Sequence, residues 1–247
     1  MSEAALIVVP CFDEEGRLDI RRLAALGAEV RLLLVDDGST DGTSVLLRAV
    51  AGDSDRIEVL ELPRHVGKAE AVRQGLLHGL ESGAQVLGYY DADLATPPEE
   101  LLRLLSVLET SERSFVMAAR VGLLGRRIER GIVRHYGGRV FATLASIALG
   151  IRVYDTQCGA KVFRASPALA AAVEKRFRSS WVFDVELIGR LLTGSDSIPP
   201  VPAAEFEEVP LMVWHDVPGS KLRARDVARA FAELAAVAVE LRASRAG

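Results

Sequence analysis

The segment Val86-Leu87-Gly88-Tyr89-Tyr90-Asp91-Ala92-Asp93 joins a short apolar run to two carboxylates, and this junction indicates the fold class. The apolar part is typical of a buried strand. Asp91 and Asp93 follow where that strand ends, and Pro97 then suits the first turn of a helix. Open α/β sheets bind their ligands at the carboxyl ends of strands. The sequence therefore predicts a ligand site at this junction.

The two carboxylates also indicate a metal. Asp91 and Asp93 offer hard oxygen ligands, and a divalent cation bound by such a pair usually takes its other ligands from water and from a substrate's phosphates. We predict a Mg²⁺ or Mn²⁺ site. A solvated turn is the alternative for an isolated pair, because acidic residues also cap helices and fill turns.

Strand and helix alternate on both sides of this segment. The predicted strands are residues 5–9, 30–35, 57–62 and 86–90, and the predicted helices are residues 18–26, 43–50, 68–80 and 99–108. This succession predicts an α/β fold with a Rossmann-like, mostly parallel sheet and helices on both faces. At the carboxyl ends of the strands, one edge is then shared by the loops 10–15, 36–42, 63–68 and 91–96.

The composition is that of one acidic globular domain. The chain has 247 residues, of which 49% are hydrophobic and 26% charged, and its formal net charge is -4. This charge disfavours a general nucleic-acid binder, which needs concentrated positive charge. Cys11 and Cys158 lie far apart and outside any metal-ligand spacing, so we expect reduced thiols.

Two features of the sequence bear on localisation. The N-terminus lacks the basic region and the cleavage site of a signal peptide. The least polar long segment, residues 140–151, is well short of the roughly 20 residues that a membrane-spanning helix needs. We therefore expect a cytoplasmic protein that is soluble or peripheral on the cytoplasmic face of the membrane.

The loops at the predicted edge carry groups suited to a nucleotide. Phe12 offers an aromatic plate for a base, and Glu14, Asp36 and Asp37 offer hydrogen-bond acceptors. Lys68, at a predicted helix start, is suited to a diphosphate, although a surface lysine is an equal alternative. These loops contain neither the Gly-x-Gly-x-x-Gly motif of dinucleotide enzymes nor the lysine-ended phosphate loop of nucleotide hydrolases, which disfavours both classes.

The chain resembles the family 2 glycosyltransferases in the order and spacing of four motifs. These motifs are Val9-Pro10-Cys11-Phe12-Asp13-Glu14-Glu15, Val35-Asp36-Asp37-Gly38-Ser39-Thr40-Asp41-Gly42-Thr43, Gly67-Lys68 with Ala71-Val72-Arg73-Gln74-Gly75, and Asp91-Ala92-Asp93. Residues 155–164, 181–187 and 209–222 further resemble the dolichyl-phosphate glucose synthases and their bacterial polyprenyl-phosphate relatives. The resemblance covers residues 5–225. It implies a glycosyltransferase A fold, a nucleotide-diphosphate sugar donor, a divalent metal and inversion at the anomeric carbon.

By position, the resemblance also assigns roles to single residues. The nucleotide-binding set is Pro10, Phe12, Glu14, Asp36, Asp37, Lys68, Asp91 and Ala92, the metal ligands are Asp93 and Asp91, and the catalytic set is Asp184, Asp155, Lys221 and Gln157. The sequence departs from the family pattern at four positions. Phe12 replaces the usual Tyr, Asp13 replaces Asn, and His65 and Ala69 replace the Asn and Gly that commonly flank Gly-Lys.

A run of arginines bears on the acceptor. Arg126, Arg130 and Arg134 recur every fourth residue, which predicts one basic helical face, and Arg120 and Arg139 bracket the run. The resemblance implies that Arg120, Arg134 and Arg139 bind the phosphate of a polyprenyl acceptor. A solvated arginine face is the alternative.

Apolar residues of the same region and of the C-terminus predict contacts with other surfaces. Leu123, Leu124, Ile128 and Ile132 would let the arginine segment rest in a bilayer interface. A C-terminal helix predicted over 221–243 carries apolar residues at helical spacing, so we expect it to pack on the domain or on a second subunit of a homodimer.

The chemistry of transfer agrees with these assignments. Departure of the nucleoside diphosphate builds negative charge, which a divalent cation and Lys68 or Lys221 can stabilise. A lipid phosphate is already an ionised nucleophile and needs positioning only, whereas a hydroxyl acceptor needs a general base. Asp155 and Asp184 are the candidate bases, although Asp184 can equally complement a helix dipole.

The sequence thus predicts a single catalytic domain with two halves. Residues 1–118 would bind the nucleotide sugar, a UDP- or GDP-hexose, and residues 119–225 the acceptor. Transfer of glucose to a polyprenyl or dolichyl phosphate is the leading hypothesis. A transferase acting on a hydroxyl of a saccharide or small molecule, and a nucleotide-sugar binding module without transfer activity, stay open as alternatives.

Overall fold

The computed structural model describes residues 5–129, 132–215 and 224–246, which form a β-sheet with helices on both faces. The strands are β1 (Ala5–Cys11), β2 (Arg31–Asp36), β3 (Ile57–Glu61), β4 (Val86–Tyr90), β5 (Phe115–Ala119), β6 (Arg127–Ile128), β7 (Ala160–Arg164), β8 (Phe206–Pro210) and β9 (Val213–Trp214). The helices are α1 (Ile20–Glu29), α2 (Thr43–Gly52), α3 (Lys68–Glu81), α4 (Pro98–Thr110), α5 (Ile132–Leu149), α6 (Pro167–Glu174), α7 (Phe183–Thr193) and α8 (Ala224–Ala246). The four predicted strand–helix units agree closely with β1 to α4.

Within the described residues, seven strands form the main sheet in the order β3-β2-β1-β4-β7-β5-β8. The strands β1 to β4 pair in parallel, and β8 is parallel to β5. In contrast, β7 is antiparallel to both of its neighbours, β4 and β5. The predicted mostly parallel α/β sheet is confirmed, with one reversed strand that the sequence analysis did not predict.

The apolar run of β1 is continuous because helices cover both faces of the sheet. Leu6 and Val8 belong to one buried cluster, whereas Ile7 and Val9 belong to the cluster on the opposite face. All four side chains are inaccessible to solvent. Alternate residues of one strand therefore hold the two helical layers on a common sheet.

The C-terminal helix packs on the domain. In α8, the ring of Phe231 lies 5.9 Å from that of Phe141 in α5, with the two planes at 66°. Leu241 covers Gly189 of α7 so closely that a methyl group there would lie 2.5 Å from its side chain. The division of the chain into halves at residue 118 stays a prediction, and the pairing of β4 with β7 joins the two halves in one sheet.

The predicted arginine face of a single helix is wrong. Arg126 precedes β6, which pairs in parallel with β9, so the backbone directly after Arg126 is extended and not helical. The helix α5 begins only at Ile132. Arg130 lies outside the described residues, and so does the side chain of Arg134.

Among the described helices, none combines the length and the apolar character needed to cross a bilayer.

A close approach of α3 to β1 can be tested with a glycine pair. A methyl group on Gly75 would lie 2.4 Å from Cγ1 of Val8, whereas one on Gly52 of α2 would meet nothing within 4 Å. We expect Gly75→Ala to lower the free energy of unfolding by about 1–3 kcal/mol through overpacking. Gly52→Ala should not lower it, because alanine favours the helix. Urea unfolding of both variants checks this. An equal change in the free energy of unfolding in the two variants would contradict the close packing of α3 on β1.

Candidate active site

The turn after β4 is held in place by the start of β7. The N–H of Asp91 donates to the carbonyl of Gly159 at 3.0 Å, and Oδ1 of Asp93 accepts the N–H of Ala95 at 3.0 Å. A methyl group on Gly159 would lie 1.9 Å from Oδ2 of Asp91. Leu94 has a φ of 52°, in the left-handed region. The Asp-x-Asp turn thus has a fixed shape that depends on glycine at 159.

The two carboxylates of this turn suit a divalent cation. Burial and the charge of Asp91 raise the pKa of Asp93 above its usual value and outweigh the opposite effect of Lys68 and Arg17, so the two carboxylates repel each other. Both donors are hard oxygens. No group of three or more His, Cys, Asp or Glu side chains within the described residues could hold an ion. A cation at Asp91 and Asp93 would therefore depend on water and on substrate oxygens for its other ligands.

Lys68 adjoins the same turn. Its Nζ lies 2.6 Å from Oδ1 of Asp91. Lys68 is the first residue of α3, and Gly67, directly before it, has a positive φ of 95°. Partial burial lowers the pKa of Lys68, but the charges of Asp91, Asp184 and Asp93 outweigh this effect and raise it. The ammonium is therefore charged at neutral pH and stands beside the predicted diphosphate position.

A buried ion pair lies behind the turn. Lys161 of β7 is inaccessible to solvent, and its Nζ donates to Oδ1 of Asp184 at 2.6 Å and to the carbonyl of Cys158 at 2.6 Å. The hydroxyl of Tyr89 donates to the same carboxylate oxygen. Burial and the charge of Asp184 raise the pKa of Tyr89, which stays protonated. Asp184 is thus the counter-ion of Lys161, and these contacts disfavour its predicted role as a base.

The predicted base-reading carboxylates organise the loops. Oδ1 of Asp37 accepts the N–H of Val66 at 2.7 Å, Oδ2 accepts that of Gly67 at 2.8 Å, and Nδ1 of His65 lies 2.9 Å from Oδ2. Asp36 accepts the N–H of Ser39 at 3.0 Å and a short hydrogen bond from the Ser44 hydroxyl. Both carboxylates are buried. Their contact with a base stays a prediction.

The predicted aromatic plate is already stacked. The rings of Phe12 and His65 have centroids 3.8 Å apart and an interplanar angle of 27°. Glu14 forms an ion pair of 2.5 Å with Arg17, and Pro10 is half-buried at the end of β1. Ala92 is buried in the Asp-x-Asp turn. The structure thus brings the predicted nucleotide-binding residues to one edge of the sheet, where His65 stacks on Phe12.

Arg120 and Asp155 form a bidentate ion pair. Nε and Nη2 of Arg120 lie 2.6 and 2.8 Å from the two carboxylate oxygens, and the backbone N–H of Arg120 donates to Oδ2 at 3.1 Å. Burial lowers the pKa of Arg120, but the carboxylate of Asp155 outweighs it and raises the pKa. Asp155 is therefore occupied by a guanidinium, which disfavours its predicted role as a base.

A cavity of about 80 Å³ opens beside this ion pair. Arg139 lies on its wall, with its guanidinium carbon 3.8 Å from the ring centre of Tyr154. Thr156 and Gln157 also line the cavity. Within the described residues, Oγ1 of Thr156 and Nε2 of Gln157 are buried and have no hydrogen-bond partner. Buried polar atoms of this kind are rare in proteins, so both donors are available to a ligand that enters the cavity.

Two predicted site residues cannot be placed. Lys221 lies outside the described residues, and the side chain of Arg134 in α5 is also outside them. Conversely, sequence reasoning gave no role to Lys161, Thr156 or Tyr154. Of these, Lys161 carried a detectable signal, because a lysine inside the apolar run of β7 requires a buried counter-ion.

The comparisons with known proteins agree with this arrangement. The family model "Glycosyl transferase family 2" matches residues 6–169. Dolichyl-phosphate beta-glucosyltransferase of Saccharomyces cerevisiae is 30% identical and aligns with 87% of this chain and 68% of its own length. Polyprenol monophosphomannose synthase of Mycolicibacterium smegmatis is 27% identical and aligns with 81% of this chain and 77% of its own length.

Solved structures share the architecture. Mannosyltransferase PcManGT from Pyrobaculum calidifontis, in complex with GDP-Man and Mn²⁺, is 16% identical with a TM-score of 0.62, and the alignment covers 97% of this chain and 65% of that one. S. aureus TarS 1–349 is 14% identical with a TM-score of 0.54, and the alignment covers 96% of this chain and 72% of that one. The chain thus spans about two thirds of the length of several relatives. These likenesses confirm the predicted glycosyltransferase A fold.

The buried ion pair generates a stability prediction. Lys161→Met leaves Asp184 buried without its counter-ion, so we expect the free energy of unfolding to fall by about 3–5 kcal/mol. Adding Asp184→Asn to this variant should restore part of the loss, because it removes the unpaired charge. Lys175→Met, at an exposed position, is the control and should change stability by less than about 0.5 kcal/mol. If urea unfolding shows that the double variant loses as much free energy of unfolding as the two single variants together, the pairing is refuted.

Proposed function

This chain belongs to glycosyl transferase family 2, and we propose that it transfers a hexose from a nucleotide-diphosphate sugar to the phosphate of a polyprenyl lipid, with inversion at the anomeric carbon. It is a glycosyltransferase. The observation that carries the proposed acceptor is the cavity beside Arg120. Its wall combines two guanidinium groups with two buried donors that have no partner among the described residues.

These groups match the needs of a phosphate monoester. A guanidinium has five N–H donors, so the two that Arg120 gives to Asp155 leave others for a phosphate. Arg139, Thr156 and Gln157 add donors from the remaining walls. Charge-assisted hydrogen bonds of this kind are roughly twice as strong as neutral ones. A cavity that holds a water needs only about 10–15 Å³, so the volume of about 80 Å³ admits a small anion.

The state of the carboxylates favours a phosphate acceptor over a hydroxyl acceptor. Asp155 binds Arg120, and Asp184 binds Lys161, so the oxygens of each candidate base are already engaged by a cation. A hydroxyl would need one of them to accept its proton. A lipid phosphate attacks the anomeric carbon as an anion and needs only to be held in line with the leaving group.

The donor side would stabilise the leaving diphosphate. Lys68 places its ammonium beside Asp91, where the charge of the departing group develops. A Mg²⁺ or Mn²⁺ ion bound by Asp91 and Asp93 supplies Lewis-acid stabilisation of that charge. PcManGT, similar in fold, was solved with GDP-Man and Mn²⁺, which supports such a donor site. We propose glucose as the sugar, because the S. cerevisiae relative is named for it.

One face of α5 suits a lipid surface near the cavity. Its apolar side chains recur at spacings of four, four and three residues and are exposed: Tyr136 (68%), Val140 (55%), Leu144 (42%) and Ile147 (61%). Leu124, between β5 and β6, is fully exposed as well. Arg139 flanks this face on the side of the cavity. An apolar face flanked by arginine is typical of helices that lie in a bilayer interface, so we propose peripheral contact there.

The metal assignment can be tested at Asp93. We expect Asp93→Asn to abolish metal-dependent binding and turnover of the donor while the free energy of unfolding stays unchanged or rises, because one of two repelling carboxylates is removed. Calorimetric titration of UDP-glucose and GDP-mannose with and without Mn²⁺ checks this. Asp53→Asn, at the end of α2, serves as control. Full activity of the variant, or of wild type in excess chelator, would rule out the assignment.

The acceptor assignment can be tested at Thr156. Thr156→Val removes a buried hydroxyl that has no hydrogen-bond partner in the described parts of the chain, so stability should be unchanged or higher. The KM for a polyprenyl phosphate should nevertheless rise about tenfold. The KM for the donor should stay constant. Thr193→Val is a matched control, because Oγ1 of Thr193 is also buried and has no partner among the residues that the structure describes, but lies in α7, outside the cavity. It should change neither KM.

The assay follows a radiolabelled donor into organic solvent with a short polyprenyl phosphate in detergent. Formation of an organic-soluble sugar product supports the lipid acceptor. If wild type forms no such product with any common donor but glycosylates a saccharide, the acceptor is a hydroxyl. If it only hydrolyses or only binds the donor, the proposed acceptor site is refuted.

A further inference from the structure

We propose that Glu208 is a positioning residue of the acceptor site, which fixes the loop before β7 and, through that loop, both arginines of the cavity. This inference rests on the proposed function, since it concerns the same acceptor phosphate. Glu208 does not line the cavity and would not touch the substrate. Its effect would pass through the backbone of Tyr154 and Asp155.

The contacts of Glu208 converge on two adjacent peptide groups. Its Oε1 accepts the N–H of Tyr154 at 2.8 Å and the N–H of Asp155 at 2.8 Å, and its Oε2 accepts the N–H of Tyr154 at 2.7 Å. Glu208 lies in β8, the edge strand that pairs with β5, and its partner in register is Met117. Arg120 follows directly after β5. The carboxylate therefore ties the loop to the strand pair from which Arg120 extends.

The side chains of these two residues each contact one arginine of the cavity. Asp155 binds Nε, Nη2 and the backbone N–H of Arg120, and also accepts the N–H of Gln157 at 3.1 Å. The ring of Tyr154 lies 3.8 Å from the guanidinium carbon of Arg139. A shift of the backbone at Tyr154 and Asp155 would move both cations and Gln157 together. Glu208 is thus the common support of donors that come from three separate segments.

The charge on Glu208 is not explained by a salt bridge within the described residues. Burial and the nearby Asp155 raise its pKa, whereas the two backbone N–H groups and Lys161 act in the opposite direction. Placing a second carboxylate beside Asp155 is unfavourable for stability alone. Its neighbour Glu207 pairs with Arg113 at 3.1 Å instead. The unusual position of Glu208 therefore indicates a role in the site.

The experiment compares Glu208→Gln with Glu207→Gln in the chain of 247 residues. An amide with its oxygen at the place of Oε1 keeps an acceptor for both N–H groups, but it carries no charge and sets its NH₂ against the N–H of Tyr154, so the support of the loop is weakened. We expect the KM for a short polyprenyl phosphate to rise about tenfold and the KM for the nucleotide sugar to change less than about twofold, since loss of a hydrogen bond to a charged group has this size. Glu207→Gln should change neither constant.

Two further measurements separate positioning from a general loss of structure. Hydrogen exchange at the amides of Tyr154 and Asp155 should become faster in Glu208→Gln, while exchange in β1 and β4 stays constant. In a double-mutant cycle, Glu208→Gln should raise the acceptor KM much less in an Arg120→Lys background than in wild type, because both changes affect one unit. If Glu208→Gln does not fold, Glu208→Asp takes its place, with a smaller effect of the same kind.

The outcomes distinguish this inference from the proposed function. If wild type forms no lipid-linked sugar, the proposed function fails and the inference fails with it. If wild type is active but Glu208→Gln leaves the acceptor KM unchanged, raises both KM values alike or adds its full effect to Arg120→Lys, only the inference is overturned.

Discussion

The buried ion pair of Lys161 and Asp184 is the interaction on which the rest of this site depends. A lysine without access to solvent requires a carboxylate at hydrogen-bond distance, and Asp184 meets this need from α7 at 2.6 Å. Tyr89 of β4 donates to the same oxygen, and the Lys161 ammonium also binds the carbonyl of Cys158. Three elements are thereby fixed around one charge. The Asp-x-Asp turn, which rests on the adjacent Gly159, depends on that arrangement.

The reversed strand β7 explains how two kinds of chemistry meet at one edge. Because β7 runs antiparallel between β4 and β5, its start lies beside the ends of those two strands. The loop before β7 therefore reaches both the carboxylates after β4 and Arg120 after β5. A parallel strand at this place would have sent the loop to the opposite edge of the sheet. The reversal thus brings the proposed donor and acceptor positions together.

Much of the fold was predictable because its signals are local. The apolar runs of β1 to β4 and the helical spacing between them can be recognised within windows of ten to fifteen residues. By contrast, the two-residue strands β6 and β9 have no such signal, and their pairing overrides the periodicity of the arginines, which is why the predicted basic helix face was wrong. Periodicity in a sequence has meaning only where the backbone adopts the matching conformation.

The sequence by itself determined the alternation of strands and helices, the edge at which the polar loops meet and the acidic turn after β4, since each follows from residues close together in the chain. Only the tertiary structure decided how the charged groups are paired. Asp184 meets Lys161 and Asp155 meets Arg120 across 23 and 35 residues, and Glu208 reaches Asp155 across 53. Such pairs depend on strand order and register, which arise when the whole sheet assembles, so no local pattern distinguishes a free carboxylate from one committed to a cation.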